Sequence, residues 1–157
     1  MIKLVFTVRR RAGMTREEFQ RYWREEHAQL VKRHAEALHI RRYVQTHARD
    51  TDLDEALAGS RCSEPRCYDG VAELWWESLD DLLTVTASEA GQVAARALLE
   101  DERRFVDLPN SPIWLGCSPC GSSSAGSSAA SWDRRCACCS RAGTPPERAG
   151  SFGVWLR

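Results

Sequence analysis

Lysine is nearly absent from this 157-residue sequence: Lys3 and Lys32 are the only two, and the remaining positive charge is arginine. With 22 basic against 22 acidic residues the balance is even, which removes the electrostatic case for a nucleic-acid partner. No stretch approaches ~18 consecutive apolar residues, so no membrane-spanning helix is expected. Residues 1–116 hold no GxGxxG, no P-loop and no histidine-rich set. Neither a cofactor nor a tightly bound nucleotide or metal is therefore expected there. Cysteine is scarce in the same stretch. Cys62 and Cys67 are its only two and read as free thiols in a reducing compartment. The opening MIKLVFTVRRR sets an apolar run ahead of its charges, the reverse of a signal peptide, and predicts a cytoplasmic location.

What is present divides in two. Residues 1–116 carry 17 basic and 20 acidic residues and most of the hydrophobic patterning, enough for one core. The sequence TREEFQRYWREEHAQLVKRHAEAL, from Thr15 to Leu38, predicts one long amphipathic helix. Thr15 followed by Glu18 forms a capping box, and Phe19, Tyr22, Trp23, Leu30 and Val31 recur at helical spacing. On the edge of that face lies His27, one turn after Trp23 and one turn before Val31. It is the one place where a group that titrates near neutrality meets aromatic surface.

Around this helix, IKLVFTV (residues 2–8) alternates as a strand, and HIRRYVQTHA (39–48) reads as a second. In the second, Ile40, Val44 and Thr46 share one face and Arg41, Tyr43, Gln45 and His47 the other. Residues 50–67 lack sustained periodicity and predict a loop acting as a flap. Asp69-Gly70 opens a third strand, VAELWWE, whose adjacent Trp75 and Trp76 must point to opposite faces. Ser78 with Asp81 caps a second helical region, broken near Ala87-Ser88, with Leu82, Leu83, Val93, Ala94, Ala97 and Leu98 expected to be buried. Two prolines precede a last short strand starting at Ile113. The order is β-α-β-β-α with the start of a fourth β, a ferredoxin-like α+β pattern.

The run IKLVFTVRRRAGMTREEFQRYWREEHAQLV, then IRRYVQ, then YDGVAELWWESLDDL and FVDLPNSPIWLG, resembles the EthD family of the dimeric α/β-barrel superfamily over residues 1–116. The resemblance implies a ferredoxin-like subunit whose open sheet face packs on a second copy to form a barrel with a small-molecule cavity. It also implies a part in oxidative breakdown of small organic molecules such as ethers. Where relatives carry His-Gly-Pro in the first helix this chain has His27-Ala28-Gln29, keeping the histidine and losing the expected kink. Relatives also continue after WLG into a final strand, whereas this chain continues with CSPCGSSSAGSS.

From residue 117 onward, 30 of 41 positions are Ser, Ala, Gly, Cys or Arg. Such a composition predicts a low-complexity, disordered tail, and its abrupt onset suits GC-rich DNA read out of frame. Cys117, Cys120, Cys136 and Cys139 have the spacing of a four-cysteine zinc site. Nothing between the two pairs reads as a strand, however, and Cys138 adds a fifth thiol, so no metal is expected.

The candidate site is therefore His27 as general base, with Phe6, Trp23, Tyr43, Glu73 and Trp75 as substrate-binding residues. Tyr43, Val71 and Trp75 are expected together on the open face of the sheet, inviting a homodimer. A blander reading makes His27 a residue that closes the helix–sheet interface with one hydrogen bond to backbone. Two functions fit: a cofactor-free oxidoreductase or accessory component acting on a small organic substrate, or a non-catalytic carrier serving a separate oxygenase.

Overall fold

The computed structural model describes residues 1–63 and 67–117. Four antiparallel strands form one sheet in the order β2-β3-β1-β4: β1 (Ile2–Val8), β2 (Arg42–His47), β3 (Gly70–Trp76) and β4 (Ile113–Cys117). Between β1 and β2 run α1 (Arg16–Tyr22), a π-helical turn (Trp23–His27) and α2 (Ala28–His34). The flap region contains α3 (Asp52–Gly59), and α4 (Leu79–Ala87) and α5 (Glu89–Phe105) follow β3. This is the ferredoxin-like arrangement expected from the element order. The fourth strand is present, paired with β1 from Phe6↔Ile113 to Ile2↔Cys117. The low-complexity tail beyond Cys117, including Cys120, Cys136 and Cys139, lies outside the described residues.

Alternation along the strands makes one sheet face apolar, and the helices cover that face. Leu4, Phe6 and Val8 of β1 and Ala72, Leu74 and Trp76 of β3 are buried against Phe19, Trp23, Leu82, Val85 and Phe105. Each large side chain taken from water there contributes roughly 1.5–3 kcal/mol. Trp76 is fully buried, and its indole N–H donates to the Leu38 carbonyl at 2.7 Å, which ties β3 to the turn after α2. Gly70 is needed for sterics. A Cβ there would stand 2.5 Å from the Thr46 carbonyl oxygen and 2.6 Å from the Trp23 ring.

The capping box is as expected: Thr15 Oγ accepts from Glu18 N–H at 3.2 Å, and the Glu18 carboxylate accepts from Thr15 N–H at 2.9 Å. The helix that follows is not uniform. Phe19, Trp23, His27 and Val31 are each four residues apart, and in a regular α-helix a step of four overshoots a full turn by about 40°. Three such steps would carry Val31 off the face that Phe19 occupies. The π turn, whose Ala28 N–H reaches back to the Trp23 carbonyl, winds wider and absorbs the overshoot. Phe19, Trp23, His27 and Val31 are all buried. Losing Gly-Pro after His27 therefore does not leave a regular helix. The irregularity is carried by the π turn, and Gln45 Nε2 also donates to the Trp23 carbonyl, at 2.9 Å.

Several local expectations need correction. β2 starts at Arg42 rather than His39, because His39 sits in a turn with φ +51° and bonds Asp81 through Nδ1 at 2.6 Å. The flap is helical over Asp52–Gly59, with Leu53 and Leu57 both exposed. Leu83 and Val93 are exposed as well. The break at Ser88, whose Oγ accepts from Gly91 N–H at 3.0 Å, resets the helical phase and turns Val85, Ala95 and Phe105 inward instead. At the end of β1 the Arg10 backbone N–H and guanidinium both bond the buried Asp69 carboxylate.

Candidate functional site

Between the helices and the sheet lies a cavity of about 70 Å³. Its floor is Leu4, Phe6, Ala72 and Leu74, and its far wall is Leu98, Glu102 and Phe105 of α5. Trp23, His27 and Val31 close it from the first helical segment and Tyr43 from β2. An apolar cavity of ~150 Å³ holds benzene, so this space as it stands fits a molecule of roughly three or four heavy atoms.

His27 is 4% exposed and held on two sides. Its ring lies 5.1 Å from that of Phe105, and its Nδ1 is 2.8 Å from the Asp101 carboxylate. Asp101 also accepts from the Tyr22 hydroxyl at 2.6 Å. Burial pushes the imidazole below its ordinary range, against the opposing pull of Asp101, so the ring is neutral at pH 7. The acceptor on Nδ1 then selects the tautomer: Nδ1–H donates to Asp101, and the Nε2 lone pair is left for the cavity. No partner for Nε2 lies among the described residues. The bond expected from His27 to backbone is thus made to a carboxylate, which both orients the ring and stabilises the imidazolium that proton uptake would create.

Two further polar groups reach the same space. The Tyr43 hydroxyl accepts from Gln45 Nε2 at 2.7 Å, and burial pushes its pKa up to about 12. It is a neutral phenol at any working pH. Glu102 is half-buried on the cavity wall, and burial followed by the neighbouring Asp101 charge raises its pKa to about 8.

The sequence-based site is divided by the sheet. His27, Phe6, Trp23 and Tyr43 all line the cavity, whereas Glu73 and Trp75 stand on the opposite, uncovered face. Register explains the division: Tyr43 pairs with Leu74, a core residue, while Val44 pairs with Glu73 and Arg42 with Trp75. Tyr43 is thus not on the open face as expected. On that face Lys3 bridges Glu73 and lies 4.9 Å from the Trp75 ring centre, with Arg42 5.7 Å from the same centre. Asp101 and Glu102 had not been read from the sequence as site residues. Their signal is the spacing Leu98, Asp101, Glu102, Phe105, which sets two acids within the apolar stripe of α5.

A buried histidine held by a carboxylate thus lines an apolar cavity inside a ferredoxin-like α+β subunit. The chain belongs to the EthD family, whose domain profile matches residues 11–109. Among solved structures it is similar to an ethyl tert-butyl ether D (EthD) family protein from Bacillus halodurans, with 14% identity and a TM-score of 0.52 over 75% of this chain and 98% of that one. It is also similar to HapK from Hahella chejuensis, with 10% identity and a TM-score of 0.50 over 80% of this chain and all of that one. At these identities the likeness is one of fold. A comparison with curated proteins gives no match. Among the described residues no helix is long and apolar enough to cross a membrane.

Proposed function

We propose that this EthD-family chain is a cofactor-free enzyme that takes a small, mostly apolar organic molecule into the cavity and removes a proton from it with His27. The observation that supports this reading is His27 on the cavity wall with its Nδ1 2.8 Å from the Asp101 carboxylate, the arrangement that leaves Nε2 as the basic nitrogen. A neutral imidazole in apolar surroundings is a competent base, and proton transfer of this kind contributes typically 10²–10⁴-fold. The deprotonated substrate would then be open to oxidation, by dioxygen or by a separate oxygenase, in keeping with the ether chemistry in the family's name. His27→Gln keeps a hydrogen-bonding side chain of similar length and removes the titration. It should leave folding nearly intact and lower turnover by about 10²-fold or more. Unchanged turnover across pH 6–9 would take His27 out of the mechanism, and ligand-induced stabilisation without product would favour a carrier.

The uncovered sheet face supports a homodimer. Val5, Val44, Val71, Glu73 and Trp75 lie on it half-buried, and among the described residues no helix covers them and the Trp75 indole N–H has no acceptor. A second copy packed face to face would cover this surface.

A further inference from the structure

Glu102 stands on the cavity wall and takes no part in the proton transfer proposed for His27. It comes from α5, opposite the π turn that carries His27, and both line the same cavity. No hydrogen-bond partner of its carboxyl lies among the described residues. A carboxyl on the wall of an apolar cavity and unbonded to the protein is available to hydrogen-bond a ligand there. The groups packed around it are all accounted for: Asp101 is its neighbour on α5 and is engaged by His27 and Tyr22, and Tyr43 faces it from β2 as a neutral phenol.

We propose that Glu102 is a catalytic acid paired with His27, and that the substrate class is a small ketone or related carbonyl compound with a proton on the adjacent carbon. This rests on His27 being the base. The substrate oxygen accepts a hydrogen bond from the Glu102 carboxylic acid while the adjacent C–H faces Nε2. The C–H bond breaks, its proton goes to Nε2, and its electron pair forms the C=C bond. The carbonyl π pair moves to oxygen, which takes the Glu102 proton. The product is the enol, with an imidazolium on His27 held by Asp101 and a carboxylate on Glu102. Reversal of both proton transfers restores the enzyme, so no oxidant or cofactor enters the step. Burial supports the protonation states required: Glu102 stays an acid up to about pH 8, and His27 stays a base down to below its ordinary range.

The test is loss of α-protons to D2O, followed by proton NMR, for acetone and propanal, both of four heavy atoms, with the full-length protein. Wild type should exchange both faster than buffer, with a rate that falls on the acid side as His27 protonates and above about pH 8 as Glu102 ionises. Glu102→Leu should slow exchange about 10²-fold, the usual loss on removing a donor to a developing oxyanion. Glu102→Gln, which keeps a donor of the same shape, should lose about 10-fold and abolish the decline above pH 8, a change that a merely structural role would not produce. If both variants exchange as wild type does, Glu102 is not the acid, and the His27 reading survives so long as His27→Gln slows exchange. No exchange of either compound above buffer by the wild type overturns the carbonyl assignment. Exchange unaffected by His27→Gln refutes the base instead.

Discussion

Replacing Glu102 by glutamine should stabilise the protein, by an amount that grows with pH. The carboxyl titrates near pH 8 in the folded chain against an ordinary value of 4.5, because burial and the Asp101 charge both disfavour its ionised form. Between those two values the unfolded chain has released the proton and the folded chain has kept it, so the native state binds more protons and stability falls as pH rises. Linkage over this interval makes the wild-type penalty roughly 1 kcal/mol at pH 5 and roughly 4 kcal/mol at pH 8. Glutamine has the same shape and no proton to lose, so it escapes the penalty. Urea unfolding of both proteins at pH 5 and pH 8 measures the difference directly, and the gap between them should widen by about 3 kcal/mol. A gap that stays constant with pH would show that Glu102 ionises normally, and the acid role argued for it would go too.

Three other outcomes follow from the geometry. Gly70→Ala drives a methyl into the Thr46 carbonyl and the Trp23 ring, and because backbone cannot retreat it should cost about 1–3 kcal/mol or more in urea unfolding. A neutral effect would show that Trp23 does not pack on that backbone. Asp101→Asn keeps an acceptor for His27 but removes the charge, so the His27 pKa, read by NMR titration, should fall further below its ordinary value. Its stability should also drop more steeply with acid below about pH 6.5, where the unfolded imidazole charges and the buried one resists. An unmoved His27 titration would separate the two residues. Light scattering on the full chain should give twice the monomer mass, and Trp75→Glu should halve it; a wild-type monomer would refute the packing of sheet face on sheet face.

Local signals were read well from sequence. The Thr15 and Ser78 caps, the break before Ser88 and the opposed faces of Trp75 and Trp76 each depend on residues within a few positions of one another. The face of β2 was harder. Alternation correctly grouped Tyr43, Gln45 and His47, but a period of two says which residues share a face and not which face is inward. Only register with β3, where Tyr43 meets Leu74, decides that. Arg41 and Arg42 beside Tyr43 suggested an outward side, while the polar ends of Tyr43, Gln45 and His47 are satisfied mostly by one another. Asp101 and Glu102 were missed for a related reason. Acids near a helix end look like solvated residues until the packing of α5 against the π turn encloses them.

The π turn has a consequence for how this segment can change. A turn closed by an i→i+5 bond holds one residue more than an ordinary turn, as if a single codon had been inserted into a regular helix. Arg24, Glu25 and Glu26 on its outer side are exposed, and their identities are open to wide substitution. Their number can fall by one more easily than it can rise. Deleting one would let the segment close as a regular α-helix, and eleven regular steps from Phe19 end about 20° past three full turns, so Val31 would keep its place in the core. Adding one would swing everything after it by about 100° and lift Val31 out of the core.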